Sequence, residues 1–124
     1  MEDDLRLQII NWLKEYFWLN LSTTNIQVWL IGSVAANKHP FGDCDILVIY
    51  PEKFLPFLIQ HTSNWKHNFA RKFSIDLHIT SLTTEEFKEP IDILDRIVNG
   101  ATLLLFPYLN GFDLVSQRMV TSSR

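Results

Sequence analysis

Three aspartates and one Gly-Ser pair are the residues of this 124-residue chain whose spacing suits chemistry. Asp43 and Asp45 stand two positions apart at the head of an apolar run, Ile46 to Tyr50, of strand composition. Strand side chains alternate between faces, so the two carboxylates point to one side. Side by side they repel each other, and a cation offsets that cost. Oxygen donors select hard ions. Mg2+ is the first choice, because it needs few protein carboxylates and completes its shell with phosphate and water. Gly32-Ser33 closes the preceding apolar run, Ile26 to Ile31. Gly32 lets the backbone approach a phosphate closely, and Ser33 offers a hydroxyl and an N–H near a helix start. Asp76, inside a later strand, is the candidate third ligand. The set predicts a metal-dependent site for a nucleoside triphosphate.

Positioning these groups requires a scaffold, and the pattern predicts one. Leu5, Ile9, Leu13, Tyr16 and Phe17 fall at helical spacing within a helix over 4–19, with Asp3 and Asp4 at the positive end of its dipole. A strand over Ile26 to Ile31 follows the turn cluster Ser22-Thr23-Thr24-Asn25. Val34-Ala35-Ala36 starts a short helix, and Pro40 and Gly42 mark the loop before the second strand. Phe54 to Gln60 reads as a helix and His61 to Asn68 as irregular. Phe73 to Ile79 reads as the third strand, with Asp76 and His78 on its polar face and Phe73, Ile75, Leu77 and Ile79 on the apolar one. Thr83 or Thr84 caps a short helix through Phe87. A helix from Pro90 to Val98, a last strand at Leu103 to Phe106 and an amphipathic piece at Phe112 to Val120 complete the order. The expected architecture is a single α/β (α+β) domain over 1–124, a small mixed sheet with helices packed on it. Its core spans about 26–106, with a tail from 110 to 124.

Hydrophobic residues make up 47% of the chain, which fits a folded domain rather than a disordered one. A net charge of −3 gives no support to broad electrostatic binding of nucleic acid. The one basic cluster, Lys66, His67, Arg71 and Lys72, is interleaved with Trp65 and Phe69, so a nucleic acid strand stays an open partner. Cys44 is the only cysteine, which favours a reducing, cytoplasmic setting; no apolar run approaches membrane-spanning length and the N-terminus is acidic. Cys44, between the two aspartates in sequence, should point to the opposite face, into packing. His39, His61 and His67 lack zinc-site spacing, and His78 reads as an exposed polar strand position.

Gly32-Ser33, nine intervening residues, Asp43-x-Asp45 and a later strand Asp76 together resemble the DNA polymerase β nucleotidyltransferase superfamily. The small size and the closing Ile97-x-x-Gly100-x-x-Leu103 pattern look most like its minimal nucleotidyltransferases. The resemblance runs from about Val28 to Leu105. It implies a nucleotidyltransferase fold and transfer of a nucleoside monophosphate, AMP from ATP, to a hydroxyl with release of pyrophosphate. It also implies two Mg2+ ions, with Mn2+ as an alternative, held by Asp43, Asp45 and Asp76. Asp76 would also take the acceptor's proton, and Gly32, Ser33 and Lys38 would bind phosphate. Many minimal members have Arg-Gly where this chain has Ala36-Asn37. Asn enters the left-handed conformation that Gly supplies, so the turn is expected to persist. The missing positive charge would come from Lys38 or from the Lys66, Arg71 and Lys72 group. Members of this type commonly accompany a helical HEPN-type protein, so an antitoxin role in a toxin–antitoxin pair is the alternative reading. RNA end modification is a third.

Overall fold

The computed structural model describes residues 2–38, 40–88 and 101–105. It is a mixed α/β fold of helices packed on a four-stranded mixed sheet, as the pattern predicts. In chain order the elements are α1 (Glu2–Leu21), β1 (Gln27–Ile31), α2 (Gly32–Ala35) and β2 (Asp43–Tyr50). A 3-10 turn (Glu52–Phe54), α3 (Leu55–Phe73), β3 (Asp76–Thr83), α4 (Thr84–Phe87) and β4 (Thr102–Leu105) follow. The strand order is β3-β2-β1-β4. β1 runs antiparallel to both its neighbours, and β2 pairs with β3 in parallel.

The even-numbered side chains of β2 explain one layer. Cys44, Ile46, Val48 and Tyr50 join Val28 and Leu30 of β1 and Leu77 of β3 in the main core, under Ile9, Leu13 and Phe17 of α1 and Leu58, Trp65 and Phe69 of α3. Each such side chain removed from water contributes about 1.5–3 kcal/mol. The two helices also lock to each other. The Phe17 and Trp65 rings meet edge to face at 5.2 Å, and the Asn68 side-chain amide donates to the Tyr16 hydroxyl at 2.9 Å. The odd-numbered side chains of β2 face the other way. There Leu47 and Ile49 join Trp29 and Ile31 of β1 and Phe87 of α4 in a second, smaller cluster. β1 is therefore buried along its whole length, which is why its sequence is a nearly continuous apolar run.

Three boundaries correct the expectations. α3 does not stop at Gln60: it runs on through His61 to Asn68 and ends at Phe73. Its buried residues Leu58, Trp65 and Phe69 stand seven and four apart, one helical stripe diluted by a polar outer face. Phe73 consequently closes this helix instead of opening β3, which starts at Asp76 and runs to Thr83. The break between them is Ser74, whose φ of 56° is left-handed and whose N–H donates to the Ala70 carbonyl at 2.8 Å. Trp65 and Phe69 are core residues, so they are not available to stack on a nucleic acid strand beside Lys66 and Arg71.

α1 is longer than expected by a few residues at its ends. Thr83 is the cap of α4, and with Glu86 it forms a reciprocal capping box: the Glu86 N–H donates to the Thr83 hydroxyl, and the Thr83 N–H donates to the Glu86 carboxylate. The helix expected from Pro90 to Val98, Phe106 and the tail from 110 lie outside the described residues. No helix among the described residues is long and apolar enough to cross a membrane.

Candidate functional site

Parity along β2 puts Asp43 and Asp45 on the same side of the sheet as Leu47 and Ile49, away from α1 and α3. The parallel pairing with β3 then supplies their companions. Asp43 lies opposite Asp76, and Asp45 lies opposite His78. One carboxylate oxygen each from Asp43 and Asp76 and one ring nitrogen of His78 all fall within 4.8 Å of one another, a group that could hold a metal ion. The three aspartates predicted from spacing are thus on one sheet face at the start of two adjacent strands. Their expected neighbours on the buried side are there as well: Cys44 is fully buried and points into the main core. Burial pushes the Cys44 thiol up to about 12, and the Asp45 charge adds to the effect, so this thiol stays protonated and is no nucleophile.

His78 is the residue that sequence reasoning undervalued. Its Nδ1 lies 3.7 Å from Asp43 Oδ2 and 3.6 Å from Asp45 Oδ1. The available signal was its shared strand parity with Asp76. What the chain does not display locally is the β2–β3 register that puts it across from Asp45.

The glycine of the Gly-Ser pair serves Asp45 directly. Gly32 has φ +75°, and a Cβ placed there would stand 2.5 Å from Asp45 Oδ2. Only glycine fits both the conformation and the space. The turn that follows is a complete helix stop. Asn37 takes φ 56°, as its residue type predicts, and its N–H donates to the Val34 carbonyl at 3.2 Å. The Lys38 N–H donates to the Ser33 carbonyl at 2.9 Å, which completes a Schellman motif. Lys38 is exposed in the loop that leads to Asp43. The Ser33 hydroxyl donates to the Asp43 carbonyl at 3.4 Å, a long bond that ties the pair to the acidic strand. Lys66, Arg71 and Lys72 sit on α3, which covers the opposite face of the sheet, so of the cations expected to face a phosphate only Lys38 lies in the loop that leads to Asp43.

A second residue escaped sequence reasoning altogether. Arg6 of α1 donates from Nε to the Val34 carbonyl at 2.8 Å and from Nη2 to the Ala35 carbonyl at 3.1 Å. A guanidinium at the negative end of α2 satisfies carbonyls the helix leaves open and fixes how the Gly-Ser turn sits on α1. Replacing it with methionine keeps the aliphatic stem and removes both bonds. Arg6→Met is expected to cost about 1–3 kcal/mol, read as a lowered denaturant midpoint at unchanged slope.

Asp45 is the least exposed of the paired carboxylates, at 35% against 44% for Asp43. Burial raises its carboxyl above the ordinary value, His78 pulls it back down, and Asp43 pushes it up again. Its folded value lies above its unfolded one, so its contribution favours the fold fully below the unfolded value and is lost as pH rises through the raised one. Asp45→Asn is therefore expected to melt at a higher temperature than the wild type at neutral pH in the absence of divalent ions. The gap should close as pH falls below about 4, a comparison that thermal melts across pH make directly.

No protein-family model matches this chain, and no curated protein matches it.

Proposed function

We propose that this protein is a metal-dependent nucleotidyltransferase of the polymerase β-like minimal type, acting in the cytoplasm. The observation that carries the reading is the register of β2 and β3: Asp43, Asp45 and Asp76 share one face beside a Gly-Ser turn whose glycine leaves room for the Asp45 carboxylate. Asp43 and Asp76 fit a divalent ion by donor type and spacing, Asp45 adds a carboxylate on the same sheet face, and the proposed complement is two Mg2+, with Mn2+ as the alternative. When bound, such ions neutralise triphosphate charge and acidify the acceptor hydroxyl.

The chain's own groups do the rest. Gly32 and Ser33 bring the α2 turn against the triphosphate, with Lys38 supplying positive charge from the same loop. Asp76 accepts the proton of the acceptor hydroxyl. The acceptor oxygen forms its bond to the α-phosphorus as the bond to the bridging oxygen breaks, and pyrophosphate leaves with that electron pair. Positioning and charge stabilisation account for most of the rate. Incubation with labelled NTPs, ATP first, in Mg2+ or Mn2+ with candidate protein and RNA acceptors tests this. Label transfer by the wild type that is absent in Asp43→Ala/Asp45→Ala supports it, and equal behaviour of the two proteins refutes it.

One observation favours the second reading, a module that pairs with a helical HEPN-type toxin. Trp18 and Leu19 at the end of α1 are 59% and 73% exposed, more apolar surface than a solvated helix needs. The neighbouring reading frame discriminates: a small helical ribonuclease-like protein encoded alongside supports pairing, and a solitary gene counts against it.

A further inference from the structure

The imidazole of His78 stands where an all-carboxylate site would place nothing, and the distances around it are informative. At 3.6 and 3.7 Å from the Asp45 and Asp43 oxygens, its Nδ1 is beyond hydrogen-bond reach of both. Metal–ligand bonds of about 2.1 Å set ligand atoms about 3 Å apart when adjacent and about 4.2 Å apart when opposite. The His78–Asp43 gap of 3.7 Å falls between those limits, too wide for a hydrogen bond though within ion-pair reach. Asp76 completes a group whose ligand atoms all lie within 4.8 Å, close enough to draw in around one shared ion. The side chain is 56% exposed, so packing does not dictate its position, whereas the β2–β3 register does. The other described histidines are engaged elsewhere: His61 lies against the Phe57 ring at 4.3 Å, and His67 is on the outer face of α3.

We infer that His78 is a ligand of the ion that Asp43 and Asp76 hold, and that its nitrogen turns the site's preference from Mg2+ toward first-row transition ions such as Mn2+. This rests on the metal site of the proposed function and specifies it further. Mg2+ binds oxygen in near-ideal octahedra and gives up water reluctantly, so a nitrogen donor adds little for it. Imidazole suits Zn2+, Fe2+ and Ni2+ best; Mn2+ stands lowest of the transition series in that order, yet it takes a nitrogen donor more readily than Mg2+ does, so a gain for Mn2+ is the smallest the inference requires. His78 then acts as a specificity-determining ligand, while the carboxylates supply the charge common to every divalent ion.

The experiment uses the full chain and Mn2+ itself as the probe. Mn2+ is titrated by EPR, with and without ATP, into the wild type, His78→Gln and Asp43→Asn. Pulsed EPR then asks whether nitrogen couples to the bound ion, and competition with Mg2+ gives the preference. The expected result is imidazole coupling in the wild type, its loss in His78→Gln, and a fall of about tenfold or more in the Mn2+ over Mg2+ preference of that variant. Mn2+ that binds in an Asp43-dependent way without nitrogen coupling, and with the same preference in His78→Gln, overturns the role of His78 and leaves the carboxylate site standing. Absence of Mn2+ binding, or binding unchanged in Asp43→Asn, overturns both the inference and the metal site beneath it.

Discussion

Gly32→Ala is expected to lose both stability and the response to divalent ions, from a change of one methyl group. The backbone there has φ +75°, a conformation that costs a residue with a Cβ about 1–2 kcal/mol. The added carbon would also sit 2.5 Å from Asp45 Oδ2 and 3.2 Å from its Cβ and Cγ. Either the carboxylate swings away or the α2 turn lifts, and either movement separates the turn from the acidic strand. A total loss of about 1–3 kcal/mol is expected, seen as a melting temperature lowered by several degrees, with no rise when Mg2+ or Mn2+ is added. The double variant Gly32→Ala/Asp45→Ala separates the two causes. With the carboxylate gone, the 2.5 Å clash disappears and the conformational cost is left with one tight contact to the Cβ of residue 45 at 3.2 Å, so the pair of substitutions should be less damaging than the sum of the singles. Strict additivity would show that the close approach carries no energy.

The largest effect on activity is expected at Asp76. Asp76→Asn keeps the shape of an exposed side chain and removes its charge and its ability to accept a proton. Transfer of labelled nucleotide should fall by about a thousandfold or more, since charge stabilisation at such a centre is worth several kcal/mol. The melting curve of the ion-free protein should stay within about 0.5 kcal/mol of the wild type, because nothing packs on this residue from the main core. That contrast, chemistry lost with the fold intact, separates a site residue from a structural one. Full transfer by Asp76→Asn would remove Asp76 from the mechanism.

Local chemistry made part of this site legible from residues alone. Asp43 and Asp45 lie two apart at the head of a branched apolar run, and a period of two settles their common face whatever surrounds them. Asn37 is a residue type at home in the left-handed region, so the turn could be read through the missing glycine. Ser74 adopts the same conformation without being such a type, so residue type alone gives no sign that α3 ends there. The body of that helix was obscured because His61, Asn64, Lys66, His67 and Asn68 crowd between Leu58, Trp65 and Phe69. Arg6 bonds to carbonyls 28 and 29 positions away, a contact with no local signature. His78 lay between these cases. Its face was legible, but its partner across the sheet was not.

The pairing of Asp43 with Asp76 and of Asp45 with His78 joins two strands separated by residues 51–75, which include the 19 residues of α3. Such a contact forms only after a long stretch of chain has been ordered. A slip of β3 by one position would turn Leu77 outward and carry Asp76 and His78 into the apolar layer beneath α3. A molecule with that fault would keep its helices and much of its sheet and yet gather no cluster of ligands. Ion uptake would therefore count correctly threaded molecules, and a refolding experiment followed by bound Mn2+ would time the last step of assembly rather than the first collapse.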